Sequence, residues 1–320
     1  MSAVAVLRNP TAGRGRHKDG VTAALRALAE AGHVVKTLDA TTRDEALAAA
    51  RQAVADGIDA LVVVGGDGTV HLGLQAVAGT SVGLGVIPTG TGNDFARSLG
   101  IPLDLAAAGR TIARALDEDR RTTVDLARIT SGATEPAGPV VPGGSSWWFG
   151  AVLAAGFDAL VNERANAMRW PKGRRRYDVA VLAELAALDP RHYRITLDDA
   201  VLEQPACLVA VGNTPSYGGG LRMCPDAQPT DGLLDVIVAD PVSRLTLIRL
   251  YPSVFRGAHV RHPAVRSYRT RSVTIETRPR PSAARRRPGA DVIVGYADGE
   301  RIHPLPLTVT AVPAALQVLV

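Results

Sequence analysis

Hydrophobic and polar positions divide the chain into two textures. Over the first 120 residues, short apolar runs alternate with stretches of helical spacing. Val4–Leu7, Val34–Leu38, Ala60–Val64 and Val82–Ile87 predict strands, while Val21–Glu30, Asp44–Ala55, Thr69–Val77 and Asp94–Leu99 predict helices. A Thr/Asp region ahead of Asp44 suits a helix cap, and Gly100-Ile101-Pro102 ends the fourth helix. This alternation predicts a parallel sheet with helices on its faces. After Leu116-Asp117-Glu118-Asp119-Arg120 the runs become short, β-branched and alternating: Thr122–Ile129, Trp147–Val152, Tyr193–Leu197, Ala206–Gly212, Leu234–Ala239, Ser272–Glu276 and Val292–Tyr296. These predict an antiparallel β-sandwich, interrupted by helices over Tyr177–Leu188 and Arg244–Arg256. Ser131–Ser146 and Pro279–Gly289 predict loops.

Composition narrows the class. With 320 residues, 46% hydrophobic and 21% charged, the chain is globular and long enough for two domains. No apolar run reaches the ~18–20 residues that span a bilayer. Met1–Leu7 runs directly into Arg8-Asn9-Pro10, too short for a secretory leader, so a cytoplasmic location is expected. Cys207 and Cys224 suit a reducing compartment, and neither lies in a CxxC or near a histidine cluster, which argues against zinc. A net charge of +5 points to an anionic partner: a nucleotide, an anionic membrane or a nucleic acid.

Two glycine-rich loops carry the chemistry. Gly65-Gly66-Asp67-Gly68-Thr69 follows the run ending at Val64, and Gly90-Thr91-Gly92-Asn93-Asp94-Phe95-Ala96-Arg97 follows the run ending at Ile87. Backbone N–H groups without neighbouring Cβ atoms come close to a ligand and favour polyanionic oxygens, a triphosphate above all. Bare phosphate repels an acidic residue among such donors, so Asp67 implies a bound Mg²⁺ or a proton to be moved. A tight turn with a capping Asp explains Asp67 and one glycine, but not glycines on both sides plus Thr69. An N-cap accounts for Asn93 or Asp94 alone, but not for the same geometry repeated on a neighbouring strand. Neither loop is a Walker sequence or a good GxGxxG. Both fall where ligands bind in such sheets, beyond the carboxyl ends of the strands. Asn9-Pro10-Thr11-Ala12-Gly13 sits similarly after the first strand, though alone it is an ordinary Pro/Gly turn.

GGDGT followed by GTGNDFAR resembles the diacylglycerol kinase catalytic domain family, which includes bacterial lipid kinases, ceramide kinases and sphingosine kinases. The NPxxG turn matches at Asn9–Gly13. Gly218-Gly219-Gly220, Pro225-Asp226-Ala227 and Asp231-Gly232-Leu233-Leu234-Asp235 resemble the family's second-domain signature, and Asp298-Gly299-Glu300 its late DGE. The resemblance implies an α/β nucleotide domain over residues 1–121, rejoined by 310–320, and a β-sandwich lipid domain over 122–309. The active site is then the cleft between them. It further implies ATP contacts at Asn9, Pro10, Thr11, Ala12 and Gly13, at Thr41 or its neighbour Thr42, at Gly65, Gly66, Asp67, Gly68, Thr69, Val70 and His71, and at Thr91, Asn93 and Asp94. Glu300 matches the general base with Asp298 beside it, and Asp67 the essential acid near the phosphates. A Mg²⁺ in the second domain is implied at Asp231 with the carbonyls of Gln228 and Leu233. His71 stands where relatives often carry Asn, and both side chains can hydrogen-bond. Ser131–Ser146 and Pro279–Gly289 look like insertions.

The chemistry supports these roles independently. Phosphoryl transfer needs charge neutralisation, in-line positioning and an acceptor for the hydroxyl proton. Two basic groups remain: Arg169, Lys172, Arg174, Arg175 and Arg176, then the arginines from Arg256 to Arg287. They read as a solvated face or as an anionic-membrane surface, with Trp147, Trp148 and Trp170 as interfacial anchors. Nucleic acid is disfavoured because no binding motif accompanies the charge. The resulting expectation is an ATP- and Mg²⁺-dependent kinase of a neutral lipid, with diacylglycerol converted to phosphatidic acid. It would be cytoplasmic and peripheral to the inner membrane face, with a homodimer left open. NAD kinase shares GGDGT, but the NDFAR element and second-domain signature speak against it. Asp67, Asp298 and Glu300 argue against a non-catalytic binding protein.

Overall fold

The computed structural model describes residues 1–8, 17–131, 146–168, 170–171, 175–278 and 292–320. Both predicted insertions and the Asn9–Gly13 turn therefore lie largely or wholly outside the described residues, as do Arg169, Lys172 and Arg174. The first unit runs β1 (Ala3–Arg8), α1 (Lys18–Glu30), β2 (Val34–Leu38), α2 (Arg43–Ala55), β3 (Ala60–Gly65), α3 (Asp67–Val77), β4 (Gly83–Pro88), α4 (Asp94–Ser98) and α5 (Leu105–Asp117). Its strands lie parallel in the order β2-β1-β3-β4. β3 and β4 are buried along their whole length because helices cover both faces. Ala46, Leu47 and Ala50 of α2 and Val70, Leu74 and Val77 of α3 pack on one face. Val21, Ala24 and Leu28 of α1 and Ile112, Ala113 and Leu116 of α5 pack on the other.

The second unit comprises β5 (Thr122–Ser131), β6 (Ser146–Phe149), β7 (Val152–Gly156), α6 (Phe157–Ala167), α7 (Arg175–Ala186), β8 (Arg191–Thr196), β9 (Val201–Ala206), β10 (Leu208–Gly212), β11 (Leu234–Ala239), α8 (Arg244–Val254), β12 (Val265–Thr270), β13 (Ser272–Arg278), β14 (Val294–Ala297), β15 (Glu300–Pro304) and β16 (Leu307–Val318). Six of these strands form an antiparallel sheet in the order β12-β11-β10-β7-β14-β15. It faces the larger sheet across a core that includes Ile129, Phe149, Leu153, Val236 and Val309.

β16 makes one sheet of the two units. Its end runs parallel to β4, with Gln317 opposite Gly83, while its beginning pairs antiparallel with β13. β5 follows its other edge throughout. The register shifts between Val312 and Leu316, where Ala314 has φ +56°. Asp125 ties this bend down: Oδ1 accepts the Ala314 N–H at 2.8 Å and Oδ2 accepts the Gly232 N–H at 2.7 Å.

Several elements differ from the sequence reading. Helices α5 and α6 and strands β9, β12, β15 and β16 were not predicted, and the predicted strand Trp147–Val152 breaks into β6 and β7 at Gly150–Ala151. A Cβ at Gly150 would stand 2.6 Å from Phe95 Cε2, so the break marks where the second unit closes against α4. No helix among the described residues is long and apolar enough to cross a membrane.

Candidate active site

β3 and β4 are adjacent, so their glycine loops emerge side by side, with Gly65 opposite Pro88 and the Thr89 N–H donating to the Gly65 carbonyl at 2.9 Å. The loops touch backbone to backbone: a Cβ at Gly90 would lie 2.5 Å from Gly66 Cα. Asp67 opens α3 and reaches into the second loop. Its Oδ2 accepts the Asn93 N–H at 2.9 Å and its Oδ1 the Phe95 N–H at 3.4 Å. Asn93 is left-handed (φ +54°) and folds back on Gly90, accepting its N–H at 3.0 Å and donating to its carbonyl at 2.8 Å. Asp67 and Asn93 thus clamp the loops together, and Thr91 is exposed on the rim.

Negative charge accumulates here. Asp94 Oδ2 accepts the Gly219 N–H at 2.6 Å, while its buried Oδ1 has no hydrogen-bond partner. A Cβ at Gly92 would lie 2.9 Å from Asp67 Oδ2 and 3.3 Å from Asp94 Oδ2, so both carboxylates approach Gly92 from the same side. Burial, then the charges of Asp94 and Asp298, push the Asp67 carboxyl above its ordinary value, against the two N–H bonds. An orphaned carboxylate oxygen beside a second acid suits a hard divalent cation. Among the described residues no three His, Cys, Asp or Glu side chains form a metal-holding group. A cation on the unpartnered Oδ1 of Asp94 would therefore complete its shell with water and substrate oxygens, the usual habit of Mg²⁺.

The second unit supplies Glu300 through the β14–β15 turn, where Asp298 and Gly299 have φ +52° and +83°. Asp298 is a positioning residue. Its Oδ1 accepts the Ala151 N–H at 2.9 Å, its Oδ2 accepts the Gly150 N–H at 3.0 Å, and His71 Nδ1 lies 3.3 Å from Oδ2. The turn is thereby seated on α3 and on the β6–β7 break. Glu300 then overhangs the first turn of α3, with Oε1 3.2 Å from the position of a Cβ on Gly68. Its Oε2 pairs with Arg43 Nη1 at 2.5 Å. A pocket of about 270 Å³ opens here, lined by Arg8, Thr41, Arg43, Gly68, Thr69 and Glu300 among others. Thr41 donates its N–H and hydroxyl to Glu45 Oε2 at 2.9 and 2.7 Å, holding the Glu45 carboxyl below its usual range.

Several sequence candidates take other places. Val70 lies in the core, and buried His71 stacks on Trp147, so neither side chain lines the pocket. Trp147 sits between His71 and His303, and Trp148 lies under Arg128 with its backbone bonded to Gln75 of α3. These two tryptophans seal the joint between units, whereas Trp170 is exposed. Asp231 belongs to a different locale from the glycine loops. Its Oδ1 accepts the Leu233 N–H at 2.9 Å and its Oδ2 pairs with Arg269. Gln228, Asp231 and Leu233 offer the oxygen ligands that Mg²⁺ takes, and Asp235, whose Oδ2 has no hydrogen-bond partner, shares Arg269 with Asp231. Arg43 and Gln75 were absent from the sequence candidates. Their roles come from tertiary contacts across the cleft, which no local pattern announces.

Both units resemble known proteins. Residues 3–129 match the diacylglycerol kinase catalytic domain, and residues 151–320 match the YegS C-terminal NAD kinase beta sandwich-like domain. A diacylglycerol kinase of Mycobacterium tuberculosis is 42% identical over 317 residues, covering 99% of this chain and 94% of the relative. A diacylglycerol kinase of Bacillus subtilis is 27% identical over 264 residues, 81% of each chain. The crystal structure of a putative diacylglycerol kinase from Bacillus anthracis superposes with a TM-score of 0.74 at 21% identity, covering 99% of this chain and 94% of that one.

Proposed function

The chain belongs to the diacylglycerol kinase catalytic domain family, and we propose that it transfers the terminal phosphoryl group of ATP to the hydroxyl of a neutral lipid, diacylglycerol foremost. One observation carries this reading: Glu300 of the second unit overhangs the N-terminus of α3, beside the paired glycine loops. Helix N-terminus and glycine N–H groups suit the phosphates. Arg8 and Arg43 add positive charge on the pocket wall. Glu300 accepts the proton of the attacking hydroxyl, with Arg43 fixing its carboxylate. Asp94, through its unpartnered Oδ1, would hold Mg²⁺ with Asp67 beside it. When bound, that ion neutralises charge on the transferred phosphate. Asp67 also keeps the two loops in register, so its role is structural as well as electrostatic.

The test is phosphate transfer from labelled ATP, with Mg²⁺, to neutral lipids in mixed micelles, with NAD in a parallel assay. Glu300→Gln is expected to lower kcat by about 10²–10⁴-fold, the usual range for a general base. Its melting temperature should stay close to wild type, since it loses only a partly exposed ion pair. Full turnover in that variant would remove Glu300 from the chemistry. Labelled NADP in place of a lipid product would assign a soluble acceptor.

A further inference from the structure

Between Pro241 and Ile275 the sequence contains seven arginines and no Asp or Glu. α8 lies in this stretch and buries a single residue of its eleven, Val254. Leu245, Ile248, Tyr251 and Phe255 are 54%, 50%, 42% and 38% exposed. Spaced at i, i+3, i+6 and i+10, they share one side of a 3.6-residue helix. Arg244, Arg249 and Arg256 are exposed with them and form no ion pair among the described residues. α7 packs beside α8 and adds exposed Leu182 and Val179. Large apolar side chains gathered on a surface and rimmed by one sign of charge mark an interaction site.

We propose that this face of α8, continued by α7, docks the protein on a bilayer bearing anionic headgroups. The proposal rests on the lipid-kinase reading above and names the surface from which the substrate is drawn. Charge selects the occupant. A second copy joined by a two-fold axis would bring the same arginines against each other, whereas phosphate headgroups neutralise them and the acyl boundary takes the apolar residues. The connection to the cleft is direct. The Arg222 N–H donates to the Val254 carbonyl at the end of α8, and His259 just beyond bonds the Met223 carbonyl. The same loop presents the Gly219 N–H to Asp94. Docking through α8 thus seats a loop shared with the catalytic carboxylates against the membrane.

The experiment is flotation of the full chain with phosphatidylcholine vesicles and with vesicles that also contain phosphatidylglycerol. Expected is binding to the mixed vesicles alone, weakening as salt rises. Arg249→Gln and Arg256→Gln should each reduce partitioning about fivefold, the equivalent of ~1 kcal/mol per basic residue. Ile248→Asp and Leu245→Asp should abolish it with melting temperatures unchanged, because these side chains are half or more exposed. All four variants should phosphorylate a short-chain, water-dispersed diacylglycerol as wild type does, while turnover of vesicle-embedded substrate falls about fivefold in the arginine variants and is lost in the aspartate variants. Wild-type vesicle binding by the α8 variants overturns the docking face. So does a wild-type dimer, seen by light scattering, that Ile248→Asp converts to monomer without any vesicle binding. Vesicle binding lost in the variants, with no lipid phosphorylated by wild type, keeps the face and refutes the kinase reading.

Discussion

A Cβ at Gly90 would stand 2.5 Å from Gly66 Cα and 2.8 Å from Asn93 Oδ1, whereas one at Gly68 would meet only Glu300 Oε1, at 3.2 Å. In sequence the two glycines look interchangeable, since each stands in a Gly-x-Gly loop after a buried strand. In space one holds two backbones together and the other leaves room for a carboxylate. Gly90→Ala must part the loops, so it should destabilise by about 1–3 kcal/mol, as overpacking does, and abolish nucleotide binding. Gly68→Ala lies in the first turn of α3, where alanine is the better helix former by roughly 0.5–1 kcal/mol. It should melt no lower than wild type while turnover falls, because Glu300 has to move. Thermal melts and steady-state rates of the pair decide the matter. An unchanged melting temperature for Gly90→Ala would refute the backbone contact, and undiminished turnover for Gly68→Ala would refute the placement of Glu300.

At the scale of elements, α6 places a carboxyl in a largely desolvated setting. Asp158 stands in the first turn of that helix, half-buried, and accepts the Tyr217 hydroxyl. Burial pushes it from 3.8 to about 6, and the Tyr217 bond pulls the other way. The folded value lies above the unfolded one, so folding favours the protonated acid. That contribution is complete below about pH 4 and is lost as pH rises through about 6. It amounts to on the order of 3 kcal/mol. Asp158→Asn should therefore gain stability relative to wild type as pH rises from 4 to 7. The difference between the two proteins cancels Asp235, which is raised to about 6 in both. A difference in unfolding free energy that stays flat with pH would contradict the assignment. α6 also shows where the sequence stopped being legible. The apolar run through Val152–Val161 crosses from β7 into the helix with only Gly156, at φ +114°, to mark the change of period. α5 was hidden differently: its alanines are weak markers of a buried face, although Asp104 caps it by accepting the Ala107 N–H at 2.8 Å. By contrast, α3, α4 and α8 follow clear glycine, capping or periodic signals. The glycine loops and Glu300 were readable as motifs, while Arg43, Gln75 and the docking role of Asp298 depend on contacts between distant segments.

For the whole molecule, the boundary between nucleotide unit and sandwich is a boundary of function more than of stability. β16 gives Leu307, Val309 and Ala311 to the sandwich core. Past the bend at Ala314 it gives Ala315, Leu316 and Val318 to one core of the first unit, and Leu319 follows into the other. The Gly79 N–H donates to the Ala315 carbonyl at 2.8 Å and the Leu319 N–H to the Leu84 carbonyl at 3.0 Å, so the same segment completes the edge of the parallel sheet. Asp298 and Gln75 then add polar contacts across the cleft. Neither unit can lose its structure without stripping a strand from the other. Calorimetry should accordingly find one unfolding transition whose calorimetric and van't Hoff enthalpies agree. A chain ending after Pro313 should fail to give a stable nucleotide unit even though every glycine-loop residue remains. Two separated transitions, or a truncated chain that still binds ATP and melts cooperatively, would mean that the shared strand is dispensable. The cleft would then depend on the smaller contacts at Asp298 and Gln75 alone.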